Sequence, residues 1–270
     1  MTGHTFVAPD PGVSGIVHLF AAEVYSSKYP SSGAEPHVLA YLPKGDLALG
    51  SAPGVSERPF GYFKHDLNTL SELVGAQGGL LAWAHPSRNP LTEPELAAVK
   101  GLWGMEVVSG ATDVQANLAF LDRRLSAGHY TCLTGGGDIH AETTRLTRGY
   151  QLVEVEAAEP SREQIFASVA ACNFFVCAVQ DTSVEPLEPP YVSVEDEKIS
   201  VRLPRAADAI RFVGAEGEVL HTATGVDAAT YPPTAADGYV RVEMSASAGK
   251  ATCYSQPIWL VGAADPVASP

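Results

Sequence analysis

The chain has 270 residues, 46% of them hydrophobic, and carries 17 Lys and Arg against 31 Asp and Glu for a formal charge of −14. That composition excludes a disordered scaffold, and without clustered Lys or Arg it argues against a nucleic-acid backbone as partner, so none is expected. Carboxylates and neutral imidazoles are what divalent metals need, and bound cations would offset part of the negative field.

The first ten residues hold no basic stretch followed by an apolar run, and no segment reaches the ~20 apolar residues of a membrane span. A cytoplasmic location without membrane contact is therefore expected. From residue 16 to about 180, short β-rich runs alternate with amphipathic helical stretches, which predicts an α/β layer or barrel. The strands expected are 16–22, 38–42, 80–84, 104–108, 130–134 and 150–156. Asp66 opens a helix with Leu67, Leu70, Leu73 and Val74 on one face. Thr92 with Glu95 and Ser161 with Gln164 form capping boxes for two more, and 111–127 carries Leu118, Leu121 and Leu125 at core spacing.

Three prolines within 186–190 can continue neither a helix nor a central strand. They mark a boundary between an α/β domain over 1–184 and a small β-sandwich-like domain over 191–263, with strands at 191–194, 198–203, 210–213, 239–244, 251–254 and 258–261. Cys132, Cys172, Cys177 and Cys253 sit in apolar stretches without zinc-type spacing and are expected as reduced core residues.

Polar residues fall at informative places relative to the strands. Glu23 follows the first run, His85 the third, and Asp138 with His140 follows 130–134 across Gly135, Gly136 and Gly137. In a parallel barrel such strand ends converge on one mouth; His37 begins its strand instead. Taken singly, His85 before Pro86 is a turn residue, Glu23 a surface carboxylate and Asp138 a cap. Asp138-Ile139-His140 is more specific, because it sets two metal-capable groups on a backbone-permissive loop. His18 reads as a hydrogen-bonded core imidazole, and His65, His129 and His221 as loop residues. Arg88 and Lys28 stand in loops near His85 and Glu23, where they would grip a phosphate or lie solvated. A nucleophile elbow is missing, and Gly135–Gly137 lacks the Lys-Ser/Thr of a phosphate loop.

The order of Glu23, His37, His85-Pro86 and Asp138-Ile139-His140 resembles the PHP (polymerase and histidinol phosphatase) superfamily of metal-dependent phosphoesterases. Local contexts carry the resemblance too: Ala82-Trp83-Ala84-His85-Pro86, Gly104-Met105-Glu106-Val107-Val108-Ser109-Gly110, and Leu125-Ser126-Ala127-Gly128 leading to the glycine run. Tyr239-Val240-Arg241-Val242-Glu243 and Ser255-Gln256-Pro257-Ile258-Trp259-Leu260 are similar to the β appendage of one branch.

The resemblance implies a distorted or incomplete (β/α)7 barrel holding one to three ions of manganese, zinc or iron and acting on a small phosphorylated substrate. It implies that Glu23 bridges two ions, that His37 and His85 complete the second site, that Asp138 belongs to the first and His140 to the third. Glu23, Asp138 and His140 would then be the catalytic groups. The family's N-terminal His-x-His has no counterpart; Thr2-Gly3-His4-Thr5 is similar to its Thr-Asp-His motif, which would make His4 a third-site ligand. Two readings follow. One is a phosphoesterase whose chain starts late, and the other a reduced member that binds metal or ligand without turnover. A missing barrel strand would expose an apolar edge, which a homo-oligomer contact would cover.

Overall fold

The (β/α)7 barrel implied above does not form. The structure, a computed structural model, describes residues 3–4, 12, 16–44, 65–110, 112–138, 149–180 and 183–260. Among these, four α-helices accompany fourteen strands, and antiparallel pairings predominate. The physical reason is in the connections. A parallel pair needs a crossover of a dozen or more residues, usually helical, whereas the 26–36 segment carries Pro30, Ser31, Ser32, Gly33 and Pro36 and turns the chain straight back.

Contacts divide the chain into two compact units, one of residues 1–106 with 153–173 and the other of 107–152 with 174–268. In the first unit the strands are β1 (Gly3–His4), β2 (Phe20–Tyr25), β3 (His37–Leu42), β4 (Leu80–Trp83) and the start of β5 (Gly104–Ser109), neighbours in that order. β1–β2 and β4–β5 are parallel; β2–β3 and β3–β4 are antiparallel. The helices are α1 (Leu67–Gly75), α2 (Glu93–Ala97) and α4 (Arg162–Ala170), in a chain whose α3 (Val114–Ser126) belongs to the second unit.

Helix starts follow the sequence closely. Asp66 accepts the N–H of Thr69 at 2.8 Å ahead of the buried Leu67, Leu70 and Val74, and both expected capping boxes form. Asp66→Ala is expected to cost about 1 kcal/mol in urea unfolding; an unchanged midpoint would show that the cap contributes nothing.

The second unit also holds β6 (Cys132–Gly136), beside the end of β5, and β7 (Gly149–Val153), β8 (Phe174–Val179), β9 (Tyr191–Glu195), β10 (Lys198–Val213), β11 (Val219–Tyr231), β12 (Tyr239–Ala246), β13 (Ala251–Tyr254) and β14 (Ile258–Trp259). Its main sheet runs β11-β10-β12-β13-β8-β7, so the expected C-terminal β domain shares its sheet with strands from before the proline-rich segment. The strands expected at 198–203 and 210–213 are one strand, β10, with a register shift between Arg202 and Ala207 that accommodates Pro204. Ile199, Val201, Ile210, Phe212, Val240, Val242 and Met244 form its core.

Among the described residues no cysteine is free, contrary to the expectation of reduced thiols. Cys177 and Cys253 stand directly opposite on β8 and β13, Cα atoms 4.0 Å apart, and are joined by a disulfide. Strand register brings them together across 76 positions, which spacing along the chain does not reveal. Among the described residues no helix is long and apolar enough to cross a membrane.

Candidate metal centre

Antiparallel pairing is what assembles the site. Tyr25 pairs with His37 and Glu23 with Leu39, so Glu23 and His37 are diagonal neighbours on one face of β2 and β3. Val38 pairs with Trp83, and the N–H of Ala84 donates to the carbonyl of His37 at 2.9 Å, which brings the chain just past β4 to the same end of the sheet. His85 follows at once.

The three side chains meet there. Glu23 Oε1 lies 3.0 Å from His37 Nδ1 and 3.7 Å from His85 Nε2, and one donor atom from each residue falls within 4.8 Å of the others. Glu23 and His85 are buried, while the His37 side chain keeps 21% of its surface in solvent and forms the open side. Leu39, Ala82 and Ala84 continue the same face as an apolar patch against Tyr41 and Trp103. The Tyr25 ring packs edge-on against the His37 imidazole, centroids 4.0 Å apart.

Neighbouring elements hold this geometry. His85 has φ 32 and ψ 63, a left-handed conformation rarely adopted by residues with a Cβ and further disfavoured before a proline. Its N–H donates to Glu106 Oε2 on β5 at 3.1 Å. The loop joining β2 to β3 is pinned by Glu95, whose Oε1 accepts the N–H groups of Ser31 at 3.0 Å and Ser32 at 3.1 Å while Oε2 closes the Thr92 capping box. Desolvation pushes the Glu95 carboxyl up, but hydrogen bonds from Thr92 and Ser32 outweigh it and hold the group down at about 2.

A depressed carboxyl stabilises the fold fully above its ordinary value and loses that contribution as pH falls toward the lowered one. Glu95→Gln should therefore lower thermal stability at neutral pH and converge with the parent near pH 2. Parallel melting curves for the two proteins from pH 6 to 2 would refute it.

Two imidazoles and a carboxylate are a recurrent donor set for zinc and non-haem iron. Ligand bonds of 2.0–2.2 Å put neighbouring donors of a tetrahedral centre about 3.3 Å apart. The separations from Glu23 bracket that value, so a divalent ion fits with small side-chain adjustments.

The other sequence-derived positions are distributed differently. Asp138, at φ 44, belongs to the second unit. His140 lies outside the described residues. His4 pairs through its backbone with Glu23, across β1 and β2. His18 is buried edge-on to Phe20, and its ring nitrogens make no hydrogen bond among the described residues, unlike the hydrogen-bonded imidazole expected. Glu106 was not among the expected site residues; its signal was an acidic residue inside the apolar run 104–108, all of which is buried. No family model matches the sequence, and no curated protein matches it either.

Proposed function

We propose that the chain is a metal-dependent phosphoesterase that hydrolyses a small phosphate ester. The observation that carries the reading is the buried carboxylate of Glu23 set between the nitrogens of His37 and His85. When bound there, manganese, zinc or iron supplies Lewis acidity and acidifies a water molecule for attack on the ester. Glu23 provides the negative charge that holds a cation in a half-enclosed, low-dielectric setting, and the two imidazoles fix its position. The motif order described above supports a phosphate ester as the substrate. Lys28 in the loop after β2 and Arg88 at the end of the 3-10 turn Pro86–Arg88 are exposed cations flanking the ligands along the chain, and they would receive the ester's anionic oxygens.

The test is hydrolysis of nitrophenyl phosphate mono- and diesters by the chain loaded in turn with manganese, zinc and iron. Turnover that is abolished by a chelator and by His85→Ala is expected. Metal binding with turnover at background would leave a non-catalytic metal-binding protein, and no binding of any of the three ions would remove the reading altogether.

A further inference from the structure

We infer that Glu106 is a positioning residue for this centre: its buried carboxylate holds the left-handed turn at His85 and so aims the imidazole at Glu23. The inference rests on the metal-centre reading above.

β4 pairs in parallel with β5, Ala82 beside Gly104 and Trp83 beside Met105, which sets Glu106 level with Ala84 on the face that carries Leu39 and His37. At Ala84 the chain makes its last ladder bond, to His37. One residue later the backbone turns to φ 32, and its N–H would be left inside the protein with no ladder to join. Glu106 Oε2 accepts it at 3.1 Å. Glu106 is 4% exposed and His85 2%.

Burying a carboxylate is costly, and a left-handed non-glycine residue before proline adds backbone strain to that cost. Neither is needed merely to end a strand, since a glycine at 85 would turn without strain and a neutral residue at 106 would bury without desolvation cost. What the pair accomplishes together is a fixed direction for the His85 ring. Outer-shell groups that orient metal ligands commonly change affinity by about 10–100-fold when removed.

The experiment is cobalt(II) titration of the full chain, followed by its visible absorption bands and by calorimetry, for the parent, Glu106→Ala, Glu106→Gln and Glu106→Asp. Gln keeps an acceptor at the same reach and should bind within about threefold of the parent, whereas Ala and Asp should bind about 10–100-fold more weakly with altered band positions. Should Ala fail to fold, Asp carries the comparison with Gln. Folded variants that all bind like the parent, or a Gln variant as weak as Asp, would overturn the positioning role while leaving the metal centre intact. A parent chain that takes up no cobalt would overturn both.

Discussion

Glu23→Ala is expected to lower divalent-metal affinity by at least about 100-fold and to bring hydrolysis to background. Glu23 is the sole carboxylate of the gathered group, and both imidazoles are positioned against one of its oxygens. Two neutral nitrogens remain of the gathered group in the variant, without a carboxylate among the ligands to offset the charge of a dication in a half-enclosed site. A readout independent of turnover is available. An ion at a hundred times its dissociation constant stabilises the folded chain by about 2.7 kcal/mol. Manganese or zinc should therefore raise the melting temperature of the parent and leave that of Glu23→Ala where it was. Without metal, Glu23→Gln should melt no lower than the parent, because it removes a buried charge at nearly constant volume. An equal metal-induced shift in parent and Ala variant would exclude Glu23 as a ligand.

The second large effect is expected in the other unit. Asp122 on α3 is buried and accepts from Arg241 Nε at 2.9 Å, Arg241 Nη2 at 2.8 Å and the Tyr239 hydroxyl at 2.8 Å. Arg241 Nη1 also reaches Glu243 Oε1, at 2.5 Å. Burial alone would lower the affinity of the guanidinium for its proton, and the hydrogen bonds and charge of Asp122 reverse that. The Tyr239 hydroxyl is pushed up as well, by burial and then by the Asp122 charge. Asp122→Ala removes the acceptor of three buried hydrogen bonds and leaves the Arg241 cation held through Nη1 by Glu243, so a loss of about 3–5 kcal/mol in denaturant unfolding is expected. Replacing both charges, Asp122→Leu with Arg241→Met, should recover much of it, since the penalty lies in the buried donors left without their acceptor and not in the absence of a bridge. A single variant within 1 kcal/mol of the parent would mean that Arg241 finds solvent or another anion.

The site residues and the fold were legible to different degrees. Glu23, His37 and His85 each sit at the edge of a β-rich run, and the structure brings them together, but for a different reason than the one expected. In a parallel barrel only the C-terminal strand ends meet, and His37, at the start of its strand, would be the exception. With β2, β3 and β4 antiparallel, the end of β2, the start of β3 and the end of β4 share one end of the sheet, and His37 is where it should be. The contact of Glu106 with His85 is not legible in the sequence, because it depends on a parallel neighbour strand, and a lone acid in an apolar run says nothing about which backbone group it will meet.

Chain-local physics determined the rest of what could be read without coordinates. Side-chain caps at Asp66, Thr92 and Ser161 act within one turn of the residues they serve, so the helix starts followed from spacing alone. Apolar alternation located β3, β4, β5, β9, β12 and β13 to within a residue or two. Strand direction, register and the pairing of Cys177 with Cys253 were decided only by the tertiary structure. Hydrogen bonding between strands is set by how each connection returns the chain, and residues far apart along the sequence become neighbours only once that return is made.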